Sequence, residues 1–325
     1  MSEGKFNRWA LAACAALALT SASTAAEAKY PSRPINFIVP WGPGGGADLL
    51  ARTASKLMEP MLGVSLPVIN VPGATGQVGL TKLISDPADG YNVEVMTGDT
   101  YALFGSPKPR FKLSQIKSLG IMIRQPSGFF VAENAPWKNW KELLEAAKTK
   151  TLRVAVTGFG SPDDITVNYF RSLGYHFESV PYAKPNARYT SILGGHAEVL
   201  YEQTGDVGSY VDGKQMRPMV LFYPHPLNVG PYKGVPVTGE MGMHISMPQL
   251  RTVIVKAGTD PAVVKVLADA LGKVAQTAEY KKYLASQYAD PNSYMPASEA
   301  NKWMADWLKK SHKVAAEAAH KGLNK

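Results

Sequence analysis

Apolar residues fall in short runs that alternate with amphipathic stretches along most of this 325-residue chain. Ile35 to Val39 is one such run, bounded by Pro34 and Pro40, and it predicts a buried strand. From Asp48 the period changes: Leu50, Ala54, Leu57, Met58 and Met61 share one helical face, with Arg52, Ser55, Lys56 and Glu59 elsewhere. Pro60 predicts an end or kink near Glu59, because it has no N–H and its ring crowds the preceding turn. Leu66 to Val71 predicts a second strand. A glycine loop, Pro72-Gly-Ala-Thr-Gly76, follows, with a short helix through Ile84. Asp89-Gly90 marks a turn into a third strand, Tyr91 to Thr97. This order is a βαβαβ unit with a parallel sheet.

A long apolar segment, Gly120 to Val131, leads to Pro136 and a helix from about Trp137 to Lys148. The strand Leu152 to Thr157 then runs into the loop Gly158-Phe-Gly-Ser-Pro162 and a helix from Asp163 or Asp164. The strand–glycine loop–helix device therefore occurs twice, once in each half. Further strands are expected at His176 to Pro181, Ala197 to Glu202, Met216 to Phe222 and Leu250 to Lys256. Three helices, at about 260–273, 276–287 and 297–322, close the chain. Ligands of open α/β sheets bind at the carboxyl ends of strands, where both loops lie. Two such halves can face each other across a cleft. Crossings near 120–131 and 250–256 would make 29–125 with 250–325 domain 1, and 126–249 domain 2, hinged to close on a solute.

The first 28 residues have a different pattern. Lys5 and Arg8 precede the apolar run Trp9 to Leu19, and small residues follow to Ala26-Glu27-Ala28, the layout of a cleaved secretory signal. The run is too short to span a membrane. Cys14 superficially matches a lipoprotein site, but more apolar residues follow it. Cleavage after Ala28 removes the only cysteine, leaving a mature chain without disulfides, held by its core alone. About 300 mature residues suit two domains. The composition is that of a globular protein, 45% hydrophobic and 19% charged. The net charge of +9 steers small anions without specifying any. Export and the spread of basic residues argue against nucleic acid. The densest cluster, Lys108, Arg110, Lys112 and Lys117, reads as a solvated surface. An exported, soluble protein is expected, acting as a monomer.

The chemistry concentrates at Pro40-Trp-Gly-Pro-Gly-Gly-Gly-Ala-Asp48. A glycine loop that opens a helix gathers unpaired backbone N–H groups at the positive end of the helix dipole. That is an anion site. Gly44, Gly45 and Gly46 let a ligand approach the backbone with no Cβ in the way. Asp48 caps the helix or orients the loop, since a carboxylate beside the site would repel the ligand. Trp41 either walls the cleft or packs in the core.

The runs Tyr30-Pro-Ser-Arg-Pro-Ile35, Pro40 to Asp48, Asn70-Val-Pro-Gly-Ala-Thr-Gly76 and Ala88-Asp-Gly-Tyr91 resemble the Bug-type (TctC-type) extracytoplasmic solute receptors. These are the binding components of tripartite tricarboxylate transporters. The resemblance continues through Gly158-Phe-Gly-Ser161, Val180-Pro-Tyr182 and Leu193-Gly-Gly195 to the C-terminal helices. It implies an α/β, two-domain periplasmic binding protein, a type II-like Venus flytrap with a mainly parallel sheet flanked by helices in each domain. It also implies a small organic carboxylate as ligand, membrane transporter subunits as partners, and a periplasmic location. One carboxylate would be held by loops of the first domain, with Trp41, Gly44, Gly45, Gly46, Gly73, Ala74 and Thr97 as candidate contacts. Thr157, Gly158, Gly160, Ser161 and Tyr182 are the candidates for the ligand's distal end.

The family often carries a His three residues after that Ser; here the position is Asp164. Glu202 stands where the family has an acidic residue that can meet a polar group of the ligand. Two acids there suit a hydroxyl, amide or ammonium better than a second bare carboxylate, a preference that Lys184 or Arg188 could reverse. Trp137, Trp140, Trp303 and Trp307 read as packing. The six His residues are scattered and show no metal-ligand spacing, so neither metal nor cofactor is expected. Two enzyme alternatives remain. Gly42, Gly44 and Ala47 fit a loose dinucleotide fingerprint, but Pro43 stiffens the loop and Asn70 ends the second strand where a ribose-binding acid belongs. An exported hydrolase lacks a Gly-x-Ser-x-Gly elbow and a recognisable His partner for Ser161.

Overall fold

In the computed structural model, which describes residues 29–106, 108–243 and 245–323, the elements follow the alternation of the sequence. The expected leader, 1–28, lies outside the described residues. Asn36–Val39 (β1) is followed by Gly46–Leu62 (α1), Val68–Asn70 (β2), Gln77–Ser85 (α2), Asn92–Thr97 (β3) and Gly98–Ala102 (α3). Ile116–Gln125 (β4) and Ser127–Ala132 (β5) come next, then Trp140–Ala147 (α4), Leu152–Val156 (β6) and Pro162–Ser172 (α5). Phe177–Pro181 (β7), Pro185–Leu193 (α6), Val199–Gln203 (β8), Gly208–Asp212 (α7) and Met216–Leu221 (β9) continue the chain. It closes with Gln249–Lys256 (β10), Pro261–Gln276 (α8), Ala278–Ser286 (α9), Met295–Pro296 (β11) and Ala297–Leu323 (α10).

The strands form two sheets, in the orders β11-β4-β10-β3-β1-β2 and β7-β6-β8-β5-β9. Leaving out β11, the two share one plan. A parallel trio (β2-β1-β3, β7-β6-β8) is extended by an antiparallel strand lent by the other half of the chain (β10, β5), then by an edge strand (β4, β9). The exchange happens where the edge strand of one sheet leads to the inserted strand of the other, directly from β4 to β5 and through the segment 222–248 from β9 to β10. The sheets are therefore mixed rather than mainly parallel, because every strand that follows a crossover enters its new sheet in the reverse sense.

Three local departures from the sequence reading have clear causes. The apolar run 120–131 is two strands in different sheets, since Pro126 cannot continue a ladder and the chain changes sheets there. Helix α1 passes through Pro60 to Leu62. The lost bond lies in the last turn, and Gly63 (φ 72°) closes that turn with its N–H on the Glu59 carbonyl at 2.9 Å. Helix α6 was not anticipated, because Pro185 at its first turn looks like a loop residue although it suits a helix start.

Arg33–Lys325 forms one contact-dense unit, and its main core is continuous across both sheets. Phe129, Phe170, Phe177, Tyr201 and Phe222 pack ring to ring under the second sheet, together with Trp140. Helix α10 packs on β4 and on α5, and so touches both layers. Trp307 is buried there, donates to the Pro248 carbonyl at 3.2 Å and faces Tyr101 at 6.0 Å. The C-terminal tryptophans are thus packing residues, as is buried Trp140. Two glycine-rich loops, one from each sheet, meet above the strand ends.

Candidate functional site

Asp48 builds the first loop. Its carboxylate accepts from Gly44 N–H (3.0 Å), from Asn70 Nδ2 (3.0 Å), and twice from Arg52 (2.9 and 3.0 Å). Burial opposes ionisation, but the bonds from Arg52, Gly44 and Asn70 hold this carboxyl below the usual range. Asn70 also donates to the Trp41 carbonyl at 3.0 Å, so both sides of the loop are tied to one hub. Gly44 takes φ 83°, a conformation that favours glycine. Helix α1 then begins at Gly46, behind a Gly45 N-cap that supplies no side-chain bond. Its first-turn N–H groups lack helical partners by construction.

Gly45–Ala47, at this helix start, line a cavity of about 30 Å³ together with Trp41, Thr97, Asp99, Thr157, Pro185, Arg188, Gln203, Asp206, Gln249 and Arg251. The lining comes from the carboxyl ends of β1, β3, β6 and β8, from the starts of three helices, α1, α3 and α6, and from the beginning of β10. Trp41 Nε1 and Thr97 Oγ1 are buried there with no hydrogen-bond partner. The volume takes a water molecule or two, not a carbon skeleton.

The walls touch. A Cβ on Gly45 would lie 2.9 Å from Pro185 Cγ, and one on Gly46 would collide with the Asp206 carboxylate and the Arg251 guanidinium. A Cβ on Gly158 would meet Thr75 Oγ1. Ala74 and Thr75, at φ 47° and 54°, form a left-handed pair in the second glycine loop, a strained conformation of the kind that gathers at functional sites.

Two buried ion pairs dominate the electrostatics. Arg251 Nη2 lies 2.5 Å from Asp206 Oδ2, and Arg188 Nη2 lies 2.7 Å from Glu202 Oε2. Burial disfavours charge on both guanidiniums, yet the partner carboxylates keep each above its ordinary value. Burial, helped by nearby Asp206, pushes the Glu202 carboxyl up against the pull of Arg188. Asp163 is pushed well up as well, by burial first and then by Asp99.

The expected contacts occupy distinct places. Trp41, Gly45, Gly46, Thr97 and Thr157 line the cavity. Gly44 shapes the first loop. Gly73 turns against Val78, while Ala74 precedes the Thr75 that meets Gly158. Ser161 caps α5 and donates to the Gly158 carbonyl at 2.7 Å. Asp164 faces its own layer, accepting from Ser179 Oγ (2.7 Å) and Gly160 N–H (2.9 Å). Tyr182 offers its carbonyl to Arg188 at 3.2 Å, and Glu202 stands behind Arg188 rather than in the cavity lining.

The sequence reading did not single out Asp99, Pro185, Gln203, Asp206, Gln249 or Arg251. Arg251 carried a signal, a charge inside an apolar strand, and Asp99 stood two residues past a candidate contact. The others are placed by long-range pairing.

A larger groove of about 750 Å³ runs between α10 and the segment before β10. No group of His, Cys, Asp or Glu that could hold a metal occurs among the described residues. Nor is any described helix long and apolar enough to cross a membrane.

The chain is 26% identical over 313 residues to the UPF0065 protein in the gbd 5' region of Cupriavidus necator, covering 93% of each chain. Among solved structures, a TctC solute-binding protein from Polaromonas is 26% identical with TM-score 0.64, over 90% of this chain and 99% of that one. Rpa4515 from R. palustris, solved with adipate, shares the fold at 19% identity and TM-score 0.82, over 89% and 98%. The family model described as tripartite tricarboxylate transporter family receptor, TctC, matches residues 50–319. This chain belongs to that receptor family, a family of solute-binding proteins rather than enzymes.

Proposed function

We propose that the chain is exported to the periplasm, loses residues 1–28, and captures a small organic carboxylate as a monomer for the membrane subunits of a tripartite transporter. The carboxylate lies against the first turn of α1. The observation that carries this reading is the uncapped start of α1 beside two buried donors without partners, Trp41 Nε1 and Thr97 Oγ1. Neutral donors preset around a site bind an anion through charge-assisted hydrogen bonds. The adipate held by the R. palustris protein is a carboxylate of the expected class.

A cavity of about 30 Å³ requires the cleft to open for entry. The moving bodies are 29–125 with 250–325, and 126–249, joined at Pro126 and at Pro248–Gln249. Helix α10, which packs on both layers, slides against α5 during that motion. The test is ligand-induced stabilisation of the mature protein across mono-, di- and tricarboxylates, including hydroxy, amino and aromatic acids. A ligand at a hundredfold excess over its Kd adds about 2.7 kcal/mol. Stabilisation by NAD or turnover of an ester, with no carboxylate effect, overturns the reading.

A further inference from the structure

Four carboxylates stand in or directly behind the cavity, Asp99, Asp163, Glu202 and Asp206, against two guanidiniums, Arg188 and Arg251. Both cations are already committed: Arg188 to Glu202 and the Tyr182 carbonyl, Arg251 to Asp206, Gln125 and Gln203. Asp99 and Asp163 accept only from neutral donors. Asp99 takes Gln249 Nε2 at 2.7 Å and the Thr157 hydroxyl at 3.3 Å. Asp163 takes Thr157 N–H at 2.9 Å, and its Oδ1 has no partner although the residue is 1% exposed. One threonine thus receives both acids, from opposite layers of the cleft. Arg251 feels the charge of Asp99, but its hydrogen bonds go elsewhere.

We infer that the ligand carries a cationic nitrogen as well as its carboxylate, the nitrogen meeting Asp99 and the carboxylate meeting the start of α1. This rests on the receptor reading above and narrows it to short amino carboxylates. A second bare carboxylate in the same cavity meets Asp99 with no uncommitted cation beside it, and like charges in a desolvated site exclude a partner strongly. Recruiting Arg251 or Arg188 instead strands Asp206 or Glu202 as a buried, unpaired acid. An ammonium needs neither rearrangement. It also gives Asp99 the countercharge that its neutral hydrogen-bond partners do not supply.

The test compares matched triplets on the mature protein by calorimetry. One triplet is butanoate, succinate and 4-aminobutanoate; the others are the propanoate and pentanoate analogues, with aspartate set against succinate. In at least one triplet the amino member is expected to bind about tenfold or more tighter than both others. The Asp99→Asn variant, isosteric and able to keep its contact with Gln249, should bring the three within about threefold of one another. A dicarboxylate or plain monocarboxylate that binds as well as the amino member overturns the inference and leaves the carboxylate reading standing. An amino preference unchanged in Asp99→Asn overturns it as well. Silence from every member removes the carboxylate reading itself.

Discussion

Replacing Gly46 by Ala separates the fold from the closing of the cleft. Gly46 is the first residue of α1, and its φ is not in the left-handed region. Local preference therefore favours the substitution, by about 0.4–1 kcal/mol through the unfolded chain. The contact across the cleft opposes it. An added Cβ would lie 2.5 Å from Asp206 Oδ2 and closer still to the other carboxylate oxygen. Carbon and oxygen normally rest roughly 3.5 Å apart, so the carboxylate must retreat by about an ångström. Asp206 cannot retreat freely, because Arg251 holds one oxygen at 2.5 Å and Gln125 the other at 3.2 Å. Overpacking of this kind costs about 1–3 kcal/mol.

Asp206 follows β8 in the second sheet, whereas Gly46 and Arg251 belong to elements of the first. On the proposed two-body motion the collision with Asp206 falls on the closed arrangement and is relieved on opening, while the Arg251 guanidinium, on the same side as Gly46, must swing aside in either form. Affinity for the selected carboxylate should drop by about 5–150-fold, while the urea midpoint holds or rises slightly. Calorimetric titration and urea denaturation of both proteins give the two numbers, and small-angle scattering of the unliganded variant should show a larger radius of gyration. Unchanged or improved affinity refutes the idea that closure brings these groups together. Equal losses of affinity and stability would instead place the collision in every folded form.

Glu94 is fully buried in β3 with neither carboxyl oxygen bonded, and burial pushes its pKa well above the ordinary 4.5. The unfolded chain gives up this proton first, so stability falls as pH rises from about 4.5 toward the folded value, by about 1.4 kcal/mol per unit. Glu94→Gln should be more stable than the parent at pH 7.5 and no more stable at pH 4, by urea midpoints; parallel pH profiles would mean that the carboxyl ionises in the fold. Asp163 is raised in the same sense, so the slope shrinks in the variant without vanishing. Asp48→Ala strands Gly44 N–H and Asn70 at the glycine loop, and should cost about 1–3 kcal/mol of stability together with ligand affinity. Gly63→Ala serves as the opposite control. It forces a left-handed φ with no atom within 4 Å of the new Cβ, so stability should fall by about 1 kcal/mol or more with Kd unchanged.

Local signals made much of the architecture legible. Glycine loops at Gly44–Gly46 and Gly158–Gly160 stand out because few other residues tolerate such turns, and the periods of 3.6 and 2 between them mark helices and strands. Two crossings between halves could be read from the long apolar runs. The break at Pro126 was visible, but its meaning depends on which strand the next segment finds, and that is a long-range choice. Helix α6 was missed because its apolar pattern is thin and Pro185 conceals its start. With it went the placement of Arg188. Asp163 and Asp164 illustrate the limit well. They are neighbours at one helix start, so their side chains point about 100° apart. The buried one turns toward Thr157, the other toward Ser179. Counting along the family motif chose Asp164; only the helix phase shows that its neighbour faces the acids of the cleft.

The division of labour within the cleft follows from how its charges are already paired. Were Arg188 and Arg251 unpartnered, any short dicarboxylate would neutralise them and the site would rank ligands by anionic charge. Each is instead matched by an acid of this same chain at 2.7 and 2.5 Å. On the proposed reading, capture of the carboxylate is left to neutral donors at the start of α1, which would bind any carboxylate about equally. Discrimination falls to Asp99 and the acids behind it. On this reading, weakening the α1 end lowers affinity across the whole panel, while neutralising Asp99 levels the panel, the amino member losing its advantage and the plain monocarboxylate changing little. Those two signatures differ, so one titration series on Gly46→Ala and Asp99→Asn separates closure around the ligand from the group that chooses it.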